Sequence, residues 1–432
     1  MTTPVEDRPS GPSGLSAPLG GRRSLMGDTG YVLLVQFFSR GSLNLLTIFA
    51  ANVLTVAQFS SYNYFVITAT LLSVYMAAGL PIAITKAVSE RDRSPRRTAD
   101  ALVSAAALFA GTSAVFLLTA PLYWPLLDAG EIQVSRGAVL LGALCMAFYA
   151  LTIAGMQGLR AFRQSVAPVC AGAAILAVMA ATQWAYPAGQ SLLWGVILFN
   201  LVPAVLFLRF LRRAALVPRR AASRWPTRAT AHHVLASALP MLGSALVFNT
   251  VSWLTARTLF EHQRAPTEFG QFVAGMQWYA LALFVPLAFA QAIFPRLVER
   301  SHGGTLSSKM VLGPAALSFA ALVVGGAVAA PFAPVLTWLY GSSYRFSAAF
   351  VFTVMLAAAV SGATNLLGQS IVAWRGAGTW FLANLVLLGG SVALLTMRAP
   401  RTAQEAMSIT LVAQTAMVIT AVLIIRQAQR RG

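Results

Sequence analysis

Apolar runs of about 20 residues alternate with short polar segments along nearly the whole chain. About 20 mostly apolar residues suffice for a helix to cross a hydrocarbon core about 30 Å thick. Each run therefore predicts a transmembrane helix. The runs fall at 31–51, 62–85, 101–123, 138–158, 166–186, 192–211, 234–259, 269–294, 310–330, 347–369, 379–397 and 406–425. The expected fold class is an all-α polytopic membrane protein with about 12 transmembrane helices. The stretches between them are too short for a separate soluble domain. Residues 1–28 are rich in Pro, Gly and Ser and read as a disordered cytoplasmic tail. They do not read as a cleavable signal, because no apolar core follows Arg22 and Arg23 before the first full-length run.

The polar segments set a topology. Short cytoplasmic loops are rich in Lys and Arg, and translocated ones are poor in them. With the tail inside, the cytoplasmic segments carry Lys86, Arg91, Arg93, Arg96 and Arg97, then Arg160 and Arg163, then Arg212, Arg213, Arg219, Arg220, Arg224 and Arg228. Arg296, Arg300 and Lys309 follow on the same side, as do Arg426, Arg430 and Arg431. The outer segments hold Arg136, Arg264, Arg345, Arg398 and Arg401 together with Asp128, Glu131, Glu261, Glu268 and Glu405. Both termini are expected in the cytoplasm of a bacterial inner membrane. The basic linker 212–233 divides the chain into an N-terminal lobe, 29–211, and a C-terminal lobe, 234–432, of six helices each. The second helix of the first lobe ends in Lys86-Ala87-Val88, and that of the second in Arg296-Leu297-Val298. This faint internal echo suits a transporter built from repeats, with its substrate site between them.

Composition sharpens the picture. Of 432 residues, 57% are hydrophobic and 10% charged, where a soluble domain has about 25% charged residues. The net charge of +19 lies in the loops between apolar runs, so it is a topology signal and not a nucleic-acid surface. Cys145 and Cys170 fall inside predicted helices and read as small buried residues. His232, His233, His262 and His302 have no metal-ligand partners at suitable spacing. No phosphate-binding glycine loop and no nucleophile–base constellation is present, so the chain reads as a transporter and not as an enzyme.

A charge at the bilayer centre costs at least about 2.5–3.5 kcal/mol and so tends to face a cavity or a partner. Arg40 is such a charge, near the middle of the first helix, with Gln36 and Asn44 at four-residue spacing on one face. The positional counterpart in the second lobe, the seventh helix, carries Asn249, Trp253 and Arg257 at the same spacing, with Pro240 and Gly243 earlier in the run. Arg257 lies nearer the outer end, where it could snorkel to the interface. The eighth helix has Gln277 beside Trp278 and Tyr279, and the tenth has Ser361, Asn365 and Gln369. Such amides serve either as sugar contacts or as interhelical glue. None of the 12 Asp and Glu residues lies in the interior of a span, which disfavours a cation-coupled exporter of cationic drugs.

Three segments resemble the family of polysaccharide exporters and lipid-linked oligosaccharide flippases. Gly79-Leu80-Pro81-Ile82-Ala83-Ile84-Thr85-Lys86-Ala87-Val88-Ser89-Glu90-Arg91 is similar to the end of its second helix. Ala57-Gln58-Phe59-Ser60-Ser61-Tyr62 resembles the outer turn between its first two helices, with Ser60 where glycine is frequent. Leu339-Tyr340-Gly341-Ser342-Ser343-Tyr344 resembles the turn before its tenth helix. The resemblance implies two six-helix lobes related by pseudo-twofold symmetry, as in the multidrug/oligosaccharidyl-lipid/polysaccharide exporter superfamily. It also implies translocation of an undecaprenyl-pyrophosphate-linked oligosaccharide to the outer leaflet by alternating access, for cell-surface polysaccharide assembly. The cationic cavity of that family would correspond here to Arg40, with Arg257 as a second candidate. The expected cavity set is Gln36, Arg40, Asn44, Asn249, Trp253, Arg257, Gln277 and Asn365. No metal or organic cofactor is expected, and a proton or ion gradient is left open as the energy source. Expected partners are the lipid-linked oligosaccharide and membrane lipids, with a polysaccharide polymerase and glycosyltransferases as pathway candidates and no nucleic acid. The alternatives are a peptidoglycan-precursor flippase, a drug exporter of the same superfamily, and a non-transporting scaffold for glycosyltransferases.

Overall fold

The computed structural model describes residues 25–89, 95–127, 135–186, 191–216, 228–302, 308–341 and 343–430. Residues 1–24 of the expected tail and 217–227 of the expected linker lie outside the described residues. All regular structure among the described residues is helical. Bilayer hydrocarbon offers no hydrogen-bond partner to the backbone, so a spanning segment must satisfy its own N–H and C=O groups.

The first lobe opens with α1 (Leu25–Gln36), a π-turn (Phe37–Gly41) and α2 (Ser42–Val53), which together make one span. The second span is α3 (Val56–Ala77) and α4 (Leu80–Ser89), bent by 49°. Then come α5 (Pro95–Leu118), the short α6 (Ala120–Leu127), α7 (Arg136–Gly158), α8 (Phe162–Ala185) and α9 (Ser191–Leu216). The second lobe repeats the order. α10 (Arg228–His262) leads, and α11 (Pro266–Ala282) and α12 (Phe284–His302) follow as a pair bent by 44°. α13 (Ser308–Ala329) and the short α14 (Ala333–Tyr340) precede α15 (Ala348–Arg375), α16 (Ala377–Met397) and α17 (Ala403–Arg430). Among the described residues nine helices are long and apolar enough to cross a membrane, or eleven if each bent pair is one span. The seventh expected span lies within α10, which is not among those eleven.

Several expected boundaries shift for local reasons. α1 begins at Leu25, inside the expected tail. Residues 57–62, read as an outer turn, are the first turns of α3. A capping box starts that helix: the Thr55 hydroxyl accepts from the Gln58 N–H at 3.3 Å, and the Gln58 side chain accepts from the Thr55 N–H at 3.1 Å. The two bends have one cause. Pro81 and Pro286 have no N–H for the carbonyl four residues back, and those carbonyls belong to Ala77 and Ala282, the last residues of α3 and α11. The third span of each lobe likewise gives way to a short helix that begins Ala-Pro, at Ala120-Pro121 and at Ala333-Pro334.

Packing follows the pseudo-twofold relation. α7 sits at the centre of the first lobe against α3, α4 and α9, and α15 takes the same place against α11, α12 and α17. Between lobes, α10 lies along α3, α4 and α5, while α1 lies along α12. Each lobe thus sets its first span against the other's bent second span. At the first of these contacts Ala78 and Gly79 take φ of 49° and 70°, and a Cβ on Gly79 would collide with the Ala238 carbonyl and Leu242 N of α10. At the second, Ala288 packs with Val32 and Phe162. The bundle end away from the cavity is closed between lobes. There Asn52 Nδ2 donates to the Leu339 carbonyl at 2.8 Å, and the Phe59 and Tyr344 rings lie 5.9 Å apart.

Gly79→Ala should destabilise the purified protein. Left-handed backbone alone costs an alanine about 1–2 kcal/mol, and the overlap with α10 adds to it. Gly389→Ala, where a Cβ meets open space, should cause no loss. Thermal unfolding in detergent compares the two, and equal melting temperatures would contradict the packing described.

Candidate substrate cavity

A cavity of about 450 Å³ lies between the lobes. The first span contributes Gln36, Ser39, Arg40 and Leu43, one helical face at three- and four-residue intervals. Arg40 stands on the π-turn, a local widening of the helix that recurs at functional sites. α4 adds Pro81, Ile82 and Thr85 just beyond the bend, and α7 adds Tyr149, Ile153 and Gln157. Asn200 comes from α9. The second lobe supplies Phe294 from α12, Asn365, Gln369 and Val372 from α15, and Trp380 from α16. The missing side chain of Gly368 leaves room for the Trp380 ring, which a Cβ there would strike.

The polarity of the lining is uneven. Arg40 is half-buried, and no Asp or Glu lines the cavity among the described residues. The Tyr149 phenol shares the cavity wall with it. Gln369 Oε1 is buried without a hydrogen-bond partner among the described residues, and native structures leave few such atoms unpaired. Asn200 and Asn365 each donate one N–H to the carbonyl four residues back, at 2.8 and 3.1 Å. Both lobes thus present neutral amides, and among the described residues the cation comes from the first lobe and the indole from the second.

Of the sequence-predicted set, the structure brings Gln36, Arg40 and Asn365 together at this cavity. It places the others elsewhere. Asn44 is buried in α2, which packs on α8, α11 and α14 beyond the cavity. Asn249 donates to the Ala245 carbonyl of its own helix at 2.9 Å. Trp253 is buried in the main apolar core, with the Arg257 guanidinium 5.3 Å from its ring centre. Arg257 Nε is 2.7 Å from the Glu261 carboxylate. Gln277 accepts from the Tyr340 hydroxyl at 2.7 Å. Ser361 joins Tyr279 and Gln414 in a closed, buried triangle of hydrogen bonds inside the second lobe. Tyr149 and Gln157, eight residues apart on α7, both reach the cavity, and their short alanine-rich run gave no signal of it. Asn200 had no partner in sequence to mark it.

No family model matches the chain. It is 27% identical over 384 residues to the EPS I polysaccharide export inner membrane protein EpsE of Ralstonia solanacearum, covering 83% of this chain and 84% of that protein. The protein of the same name from Ralstonia nicotianae is 27% identical over 369 residues, covering 78% and 79%. Among solved structures, a crystal structure of a MATE mutant superposes with a TM-score of 0.70 at 14% identity, covering 96% of this chain and 97% of that one. An outward-facing multidrug resistance MATE family transporter of the MOP superfamily gives a TM-score of 0.68 at 14% identity, covering 95% and 96%. The chain has the fold of a MOP-superfamily transporter. The resemblance read from its three short segments agrees with the named relatives. The MOP fold accounts for the two lobes, and the cavity's chemistry belongs to this chain's own residues. It is a multi-pass membrane protein.

The lone arginine should be readable in solution. In a background with Cys145 and Cys170 replaced, Gln369→Cys should react about tenfold faster with an anionic thiol reagent than with a cationic one of equal size. Adding Arg40→Gln should abolish that preference. Gln277→Cys, whose parent side chain is buried away from the cavity, should stay unreactive. Equal rates for the two reagents at position 369 would contradict a cationic cavity.

Proposed function

We propose that the protein moves a lipid-linked oligosaccharide, with an undecaprenyl-pyrophosphate anchor, from the cytoplasmic to the outer leaflet by alternating access, for cell-surface polysaccharide assembly. One observation carries the reading: among the described residues, the cavity between the lobes has one arginine and no acid in its lining. Arginine binds phosphate through short, often bidentate, charge-assisted hydrogen bonds. Arg40 then holds the pyrophosphate, with Tyr149 beside it as a further donor. The amides of Asn365 and Gln369 and the indole of Trp380 meet the sugars. The relatives named as polysaccharide export proteins support this substrate class. A carrier of cationic drugs would want an acid where this cavity has none among the described residues. The energy source stays open to a proton or ion gradient, and the polymerase and glycosyltransferases of the same pathway are the expected partners.

The test locates the glycan in cells lacking the protein, by lectin binding to spheroplasts and to inverted vesicles. Glycan should accumulate on the cytoplasmic face and be released by the wild-type gene. Arg40→Ala should fail to release it, and Arg40→Lys should restore it in part, because lysine keeps the charge and loses the planar fork. Arg257→Gln removes an exposed ion pair worth about 0–1 kcal/mol, so release should continue. Normal outer exposure in the deletion strain would refute the proposal.

A further inference from the structure

A second pocket, of about 280 Å³, lies within the second lobe and shares no lining residue with the Arg40 cavity. Its walls come from α11, the end of α13, α14 and the first turns of α15. Apart from the Trp278 indole, every side chain that lines it is hydrocarbon or thioether. The pocket has a face on the outside of the bundle. Phe332 and Val335 line it and are 59% and 51% exposed. Trp338, one turn on along α14, is 78% exposed. On a spanning protein such residues face lipid, and exposed tryptophan favours the boundary between hydrocarbon and headgroups.

The polar end is also in place. The loop after α14 runs Tyr344-Arg345-Phe346. Phe346 is buried and forms part of the pocket wall, and Arg345 beside it is exposed with no acidic partner among the described residues. A basic residue at the headgroup level attracts anionic lipid. We propose that this pocket holds one acyl chain of an anionic bilayer phospholipid, with its phosphate at Arg345. Water gains nothing in a space so apolar, whereas a chain from the surrounding leaflet enters without leaving hydrocarbon. The occupant is distinct from the transported substrate. The pocket meets α15 at Phe350–Met355 and the Arg40 cavity meets it at Asn365–Val372, so the nearest lining positions are about 15 Å apart along the helix axis. The charge pattern of the loops assigns the pocket to the outer leaflet.

The same loop helps close the bundle between lobes. Tyr344 packs on Phe59 from the first lobe, and the carbonyl of Leu339, just before the loop, accepts from Asn52. A chain seated behind Phe346 therefore supports the segment that holds the two lobes together at that end.

The test uses the full chain in nanodiscs of phosphatidylethanolamine and phosphatidylglycerol, doped with phosphatidylglycerol bearing a photoactivatable acyl chain. Crosslinks should concentrate in the segments lining the pocket. Ala329→Phe, which fills it, and Val335→Trp, which narrows its mouth, should each reduce them to the level of the lipid-facing surface around Leu423, which is 59% exposed. Arg345→Gln should lower labelling by the anionic probe about fivefold and lower it less for a phosphatidylcholine probe of the same chain, whose choline offsets the phosphate charge. Labelling that neither pocket variant changes would show annular lipid only and overturn the proposal. Preferential capture of a photoactivatable polyprenyl phosphate over the phospholipid would overturn it in favour of the carrier lipid. If Ala329→Phe does not fold, Val335→Trp and Arg345→Gln still decide.

Discussion

Bilayer hydrocarbon cannot hydrogen-bond a peptide group, and every irregularity in this structure has to be placed with that in mind. The described spans are regular helix except at a few points, and those points coincide with the functional architecture. The π-turn Phe37–Gly41 carries Arg40 into the cavity. The bends after Ala77 and Ala282 lie where each lobe meets the first span of the other. Irregular backbone is tolerated where a neighbouring helix or a cavity covers it, and the lobe interface supplies both.

Charge is handled just as sparingly. Arg257 carries its charge beside Glu261 and Trp253 toward the C-terminal end of α10. Among the described residues that line its cavity Arg40 meets no carboxylate, and a phenol and amides stand there instead. Burying a cation away from carboxylates is costly, so a protein that only needed stability would lose it.

The helices could be read from apolar run length, because about 20 residues per crossing leaves little choice; of the twelve expected spans, eleven reappear among the described residues and α10 falls short of the apolar criterion. Arg40, Gln36 and Asn365 stood out because polar groups in apolar runs are conspicuous. Asn249, Gln277 and Ser361 were equally conspicuous and turned out to bond within their own lobe or helix. Sequence cannot distinguish an amide that meets a ligand from one that meets a carbonyl four residues back. The bends were in fact encoded, by Pro81 and Pro286, and so were the short helices, by Ala120-Pro121 and Ala333-Pro334. These matched prolines are a clearer trace of the internal repeat than the basic helix ends.

The two contacts between a bent span and the opposite lobe define a line through the molecule, with the cavity beside it. One of them, Gly79 on the backbone of α10, has no side chain to compress. Backbone already meets backbone there, so the lobes cannot come closer, whereas a relative turn about this line, as about an axle, would leave the contact in place. α3, the arm that runs from it to the closed end, has 22 residues and is about 33 Å long. A turn of about 10° would swing the far end of such an arm by roughly 6 Å, more than enough to part Asn52 from Leu339 and Phe59 from Tyr344. The atoms beside the axle would hardly move.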